Sequence, residues 1–288
     1  MSSPESRRGI GLDTLAVTSP RVDVLPMVTI VTVCFGAVRT LPRTLDSLRR
    51  QRDPRLECLV IDGGSRDGTV ALLESSADVV DRYLSEPDRG LYDAMNKGAA
   101  MACGRFLWFV NADDWLEAGA VEAVLEVLER CGDEEILLTG DTRRIDASGR
   151  QIGIERHRPD VLRPGEPYPQ YPHPSTLMPR ALFHRLGGFD ASLRIVADHA
   201  LLWQAWRLGV RVERLDRVLV NMLDGGRSSS SAGWRARFGH ELELLRVQWR
   251  LGSPRIALHC HAARVAGALR AAVSGRPTLR SPAGGPPR

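Results

Sequence analysis

The chain has 288 residues, 43% hydrophobic and 26% charged, a balance that supplies a sizeable core and excludes a disordered, collagen-like or disulfide-scaffold protein. Lys and Arg number 39 against 35 Asp and Glu, and a formal charge of +4 is too small an excess to imply nucleic-acid binding. The five cysteines (Cys34, Cys58, Cys103, Cys131 and Cys260) are odd in number and widely spaced, which fits reduced thiols in a cytoplasmic compartment better than a bridge framework.

Residues 1–26 lack a continuous apolar stretch, because Asp13, Thr14, Ser19, Arg21 and Asp23 interrupt it, and read as a flexible leader without an export signal. Residues 27–35 form a β-branched apolar run without strict alternation, as expected of a strand covered on both faces. Leu41, Leu45 and Leu48 then recur at helical spacing. A second apolar run over 56–61 ends in Asp62-Gly63-Gly64-Ser65, where glycines and small polar residues force a turn before a helix from Thr69. The pattern predicts a third strand over 79–84, a helix over 91–101 and a fourth, fully buried strand over 106–110. A helix over 117–129 and a strand over 136–140 follow. Pro-rich sequence over 159–179 reads as an excursion that shapes a substrate pocket. Helical patterning returns over 198–208 and 234–249, and the last dozen residues read as disordered. No run of about 18 apolar residues occurs, so the length criterion for a transmembrane helix is not met.

Strands alternating with helices predict an α/β fold: a doubly wound, mostly parallel sheet flanked by helices, with a C-terminal helical extension. The expected division is a leader over 1–26, the main domain over 27–226, the extension over 227–275 and a tail over 276–288. In such sheets ligands bind beyond the C-terminal strand ends. Polar clusters fall at those ends, over 32–36, 62–67, 86–90 and 111–114.

Each cluster admits a chemical and a purely structural reading. Asn111, Asp113 and Asp114 follow a buried strand, and either a hard divalent cation offsets the acidic pair or the pair begins the next helix. Asp62 could accept hydrogen bonds from a ribose or base, or organise an Asx turn. Arg89, Asn96 and Lys97 gather around a helix start, suiting a diphosphate or, alternatively, a solvated face with Asp93 pairing to Lys97. Neither G-x-G-x-x-G nor G-x-x-x-x-G-K-[ST] is present, which removes ordinary dehydrogenases and P-loop kinases.

The four clusters taken in order resemble the family 2 glycosyltransferases of the GT-A fold, especially bacterial polysaccharide-assembly members, over about 28–226. That resemblance implies a metal-dependent, inverting transfer of sugar from a nucleoside-diphosphate sugar, a UDP-sugar, to an acceptor hydroxyl on a glycan or lipid-linked acceptor. It implies that Thr32 and Phe35 meet the donor base, that Asp62 hydrogen-bonds it, and that Arg89 lines the nucleotide pocket. Asn111-Ala112-Asp113 occupies the family's D-x-D position, with Asp113 the ligand of Mg2+ or Mn2+ and Asp114 beside metal or sugar. Gly36 and Asn111 depart from the common pattern. Asp198, in Val196-Ala197-Asp198-His199, matches the family's catalytic base, with an N-cap as its structural alternative. His199 reads as a packed or exposed histidine rather than a shuttle, and His173 matches a segment lining the sugar or acceptor pocket. Arg227, in a Gly-Gly-Arg-Ser segment that replaces the processive Q-x-x-R-W, would offset leaving-group charge and argues for a single addition rather than polymerisation.

Two rival readings stand beside this one, a sugar nucleotidyltransferase and a nucleotide-sugar binding module without turnover. Thr32 to Arg39 lacks the glycine-rich basic loop of the former. His259-Cys260-His261 is rejected as a zinc site because adjacent residues do not converge on one tetrahedral ion. The stretch 256–273 pairs Val265, Leu269 and Val273 with Arg264 and Arg270; it reads first as a helix packed on the domain, and second as peripheral contact with an anionic bilayer. Donor sugar, acceptor and oligomeric state are not legible.

Overall fold

The computed structural model describes residues 15–17, 25–157, 171–225 and 234–252, with five further positions between 255 and 262. A short β1 (Leu15–Val17) precedes the first buried strand, β2 (Val28–Cys34), which leads through α1 (Leu41–Arg49) to β3 (Leu56–Asp62). Both β2 and β3 are buried at every position, the reason their sequences run apolar without alternation. The chain continues through α2 (Thr69–Glu74), β4 (Arg82–Ser85), α3 (Leu91–Met101), β5 (Phe106–Phe109), β6 (Trp115–Leu116), α4 (Ala120–Cys131), β7 (Ile136–Ile145) and β8 (Gln151–Glu155). A 3-10 turn at His173–Ser175 then enters β9 (Thr176–Pro179), followed by α5 (Arg180–Arg185), α6 (Ala197–Arg207), β10 (Arg211–Leu223) and α7 (Trp234–Leu251).

The strands form one sheet in the order β1-β4-β3-β2-β5-β9-β7-β10-β6, with β8 on β7. Strands β4, β3, β2 and β5 are mutually parallel. Because β9 is antiparallel to both β5 and β7, β7 runs in the same sense as β5, and β10 is parallel to β7. Six strands therefore share one direction, the mostly parallel sheet expected. From β2 the chain winds outward through β3 and β4, then returns to place β5 on the other side of β2. That reversal opens a crevice at the C-terminal strand ends.

Each face of the sheet carries its own apolar cluster. Leu41, Leu45 and Leu48 of α1 and Val121, Val124 and Leu125 of α4 pack with Ile30, Val60 and Trp108. On the opposite face, Ala94, Met95 and Ala99 of α3, Leu201 and Leu202 of α6, and Leu244 and Val247 of α7 pack with Val31, Ile61 and Phe109. Cys34, Cys58, Cys103 and Cys131 are free thiols; Cys260 lies outside the described residues.

The sequence pattern differs from the structure in a few places. Residues 79 and 80 belong to a turn, both amides donating to the Ser76 carbonyl, so β4 starts only at Arg82. Residues 176–179, inside the supposed excursion, form the central strand β9, while 158–170 lie outside the described residues. Strands β1, β6, β8 and β10 and helix α5 were not anticipated.

One glycine fixes how closely α3 approaches the sheet. A Cβ on Gly98 would sit 2.3 Å from Val31 Cγ1 and 3.2 Å from Ile61 Cγ1, both on buried strands that cannot yield. Overpacking of this kind costs about 1–3 kcal/mol, against roughly 1 kcal/mol gained in helix propensity. Gly98→Ala is therefore expected to lower stability by ~1 kcal/mol and Gly98→Val by more, read as a Tm drop of about 2–4 °C for the first; an unchanged or raised Tm would contradict this packing.

Candidate active site

The loops after β2, β3, β4 and β5 meet at the crevice edge. Asp62, the last residue of β3, is fully buried, and its carboxylate accepts hydrogen bonds from Gly64 N (3.1 Å), Ser65 N (2.8 Å), Ser85 Oγ (2.7 Å) and the Ser65 hydroxyl. The Gly64 and Ser65 amides give Asp62 an Asx-turn arrangement that organises the β3–α2 loop. Cys34 Sγ lies 3.6 Å from Asp62 Oδ1. Cys34, rather than Thr32, is thus the side chain of β2 that meets Asp62. Thr32 is 1% exposed and its hydroxyl has no hydrogen-bond partner, so the structure does not bring it to the crevice surface. Phe35 behaves oppositely, a residue 75% exposed whose ring lies beside Gly63. A Cβ on Gly63 would meet Phe35 Cδ2 at 3.2 Å and Asp88 Oδ2 at 2.5 Å, so the glycine lets these two groups close over it. Asp88 was not singled out in sequence.

The two cations at α3, Arg89 just before it and Lys97 within it, each pair with a carboxylate of the same stretch. Arg89 pairs with Asp93 at 3.0 Å and projects into solvent, and Lys97 pairs with Glu86 at 2.7 Å while donating to the Pro87 carbonyl. Lys97 also lies 3.9 Å from Asp93, the i,i+4 arrangement of the structural reading. Asn96 is committed at both ends of its amide, donating to Phe189 O (2.8 Å) and accepting from Phe189 N (2.9 Å). It pins the approach to α6, with one amide N–H and the carbonyl oxygen engaged by the Phe189 backbone.

Beyond β5, Asn111, Asp113 and Asp114 lie in the turn before β6, where Asp114 N bonds the Asn111 carbonyl. Asp114 faces inward at 2% exposure; its Oδ1 accepts from Leu223 N and its main-chain carbonyl from Thr44 Oγ1. Burial, followed by the charge of Asp113, pushes the Asp114 carboxyl far above its ordinary value. Asp113 is raised by burial alone, and among the described residues no cation or donor side chain offsets it. Asn111 Oδ1 and Asp114 Oδ2 are buried without partners. No group of three or more His, Cys, Asp or Glu able to hold a metal occurs among the described residues. A carboxylate with no cation offsetting it, in the same turn as two partnerless buried oxygens, has the donor chemistry that a hard divalent cation takes.

Asp198 begins α6, and its position is set across the crevice. Tyr92 of α3 places its hydroxyl 2.9 Å from Asp198 Oδ1 and 2.7 Å from the Ile195 carbonyl. His173 Nδ1 is 4.0 Å from Asp198 Oδ2, and its ring stacks on Phe109, the end of β5, at 6.0 Å between centroids. Asp198 is thereby linked through His173 to β5, the strand that leads into the Asn111–Asp114 turn. Burial pushes the Asp198 carboxyl up, but His199, His173 and the Tyr92 hydroxyl outweigh it, and the group ends below its ordinary value. Burial lowers the His173 imidazole more than Asp198 raises it. At neutral pH the carboxylate is ionised and His173 is neutral. Tyr92 was missed in sequence; its signal was a place in the first turn of the helix that follows Arg89. Arg227 lies outside the described residues.

Tyr92→Phe removes one hydrogen bond to a charged acceptor, which raises the Asp198 pKa. The expected result is an acid limb of kcat/KM displaced upward with the plateau kept. A plateau that falls with an unmoved limb would mean that Tyr92 serves packing only.

Comparison with known proteins bears on the same region. The family described as Glycosyl transferase family 2 matches residues 29–184. The Mycobacterium tuberculosis (strain H37Rv) glycosyltransferase Rv1514c is 35% identical over 186 residues, covering 62% of this chain and 69% of that protein. Among solved structures, residues 1–349 of S. aureus TarS in complex with UDP-GlcNAc align with a TM-score of 0.58 and 17% identity, over 77% of this chain and 66% of that one. The mannosyltransferase PcManGT from Pyrobaculum calidifontis, in complex with GDP-Man and Mn2+, aligns with a TM-score of 0.55 and 19% identity, over 88% of this chain and 79% of that one. At such identities the two structures establish the shared fold.

Proposed function

The chain belongs to glycosyl transferase family 2, and from that premise we propose that it transfers a sugar from a UDP-sugar to a hydroxyl of a glycan or lipid-linked acceptor, with inversion at the anomeric carbon. The observation that carries this reading is Asp198: a carboxylate held ionised in the first turn of α6 and gripped by the Tyr92 hydroxyl of α3. Asp198 removes the acceptor proton as that oxygen forms its bond to the anomeric carbon, and the bond from that carbon to the diphosphate oxygen breaks. Attack from the side opposite the leaving group, in a single displacement, inverts the centre. Phe35 offers an exposed ring on which a base could stack. Asp113, with Asn111 and Asp114 beside it, would hold Mg2+ or Mn2+, which supplies charge neutralisation to the departing diphosphate when bound. Arg89 is free to swing from Asp93 toward that diphosphate, since its side chain is 82% exposed. Support for a UDP donor comes from TarS, whose structure holds UDP-GlcNAc on the same fold, and support for the cation from the Mn2+ of PcManGT.

The test is a panel of UDP- and GDP-sugars with Mn2+ and purified protein, followed by release of nucleoside diphosphate and by the anomeric configuration of any product. UDP release with an inverted product supports the reading. Exclusive turnover of GDP-sugars overturns the donor assignment, and retention of configuration overturns the role given to Asp198. Pyrophosphate formation would instead revive nucleotidyl transfer, and binding without turnover the inactive module.

A further inference from the structure

Helix α7 buries Leu244, Val247 and Gln248 against the domain. Its outward face, at i, i+3, i+4 and i+7, carries Leu242, Leu245, Arg246 and Trp249, with Arg250 beside them. A solvent-facing surface of a helix is ordinarily polar. Here Trp249 is 57% and Leu242 40% exposed, and Leu245, Arg246, Trp249 and Arg250 line a shallow open depression. Arg207 donates to the Leu251 carbonyl, and around that junction α6 ends in Trp206 and Leu208, also exposed.

Charge decides what such a surface fits. From Trp234 to the end, the sequence holds ten Arg and no Lys against two Glu, so this portion is strongly cationic while the remainder of the chain is net acidic. Arg246 points outward, and Arg250 keeps 67% of its side chain exposed while leaning on Asp190. Tryptophan and leucine flanked by arginine suit the headgroup boundary of an anionic bilayer, where the apolar groups enter and the guanidinium groups stay at the phosphates. No helix among the described residues is long and apolar enough to cross a membrane, which leaves α7 lying on the surface.

We propose that the outer face of α7, centred on Leu242, Arg246 and Trp249, docks the protein on an anionic lipid bilayer. The helix is tied to the base: Glu243 accepts from Arg194 N and Ile195 N, 2.9 Å each, three to four residues before Asp198. If the proposed acceptor is lipid-linked, docking here holds the segment leading to Asp198 near the layer where that acceptor lies.

The experiment is co-sedimentation of the full chain with phosphatidylcholine vesicles, with and without phosphatidylglycerol. The protein is expected to partition onto the anionic vesicles alone and to be released by salt. Arg246→Glu and the pair Leu242→Ser with Trp249→Ser should each lower that partition about tenfold, with the melting temperature preserved. The readout involves no sugar transfer, so it stands or falls separately from the activity proposed above. Failure to bind anionic vesicles, binding indifferent to these substitutions, or a dimer in sedimentation equilibrium that Trp249→Ser dissociates would overturn the proposal; the last would assign the face to a second copy.

Discussion

Asp198→Asn is expected to lower kcat by about 10²- to 10⁴-fold, the range contributed by a positioned general base, while donor affinity stays at its original value. The amide is nearly isosteric and still accepts from the Tyr92 hydroxyl, so the 2.9 Å contact survives and the helix start keeps its geometry. What disappears is the ability to hold a proton. The pH profile sharpens the test. Because the folded-state carboxyl lies below its ordinary value, the base remains ionised throughout the neutral range, and kcat/KM of the parent protein should be flat there on its acid side. The same sign makes Asp198 a contributor to stability that is present above the ordinary carboxylate range and fades as pH falls through the depressed value. Turnover of the variant within a few-fold of the parent would remove Asp198 from the mechanism.

Asp113→Asn separates cation binding from folding. In the parent, UDP with Mn2+ at about a hundred times its dissociation constant adds about 2.7 kcal/mol of apparent stability, or ~5–10 °C in Tm. The variant should lose this response, and chelation of the metal should reproduce that loss in the parent. Without ligands the expectation reverses. Burial raises the Asp113 carboxyl and no described cation offsets it, so its ionised form weakens the fold at neutral pH, and a neutral amide should leave the ligand-free protein as stable as the parent or more so. A variant that melts earlier without ligand yet still responds to UDP and Mn2+ would show that Asp113 is a structural carboxylate.

The parts of the fold legible in sequence were those whose pattern is local. Residues 28–34 and 56–62 are buried throughout, and their largely apolar runs said so, with Glu57 in the second held by Thr29 and Arg82. Strand β9 escaped because it is four residues long, follows Pro174 closely and ends on Pro179, prolines that read as breaks; its partners at Phe106 and Leu138 are remote in the chain. Strand β10 escaped because its first half is exposed and charged and two register shifts interrupt its ladder with β7. At the site, the order of the polar loops was visible, but the commitments of individual side chains were not. Asn96 and Lys97 looked available for phosphate, yet one closes on the Phe189 backbone 93 residues away and the other on Glu86. Tyr92 reaches Asp198 across 106 residues, a pairing that no spacing rule encodes.

The place of β9 has a consequence for how the protein is made. Phe106, Leu107, Trp108 and Phe109 are all buried, and the outer edge of their strand is closed by residues 176–179. Until synthesis advances those roughly 70 residues, about 4–14 s at ordinary translation rates, the growing polypeptide carries an unpaired apolar ribbon able to recruit a stray strand. Slow codons or a truncation between these two points should thus be felt as aggregation on the ribosome.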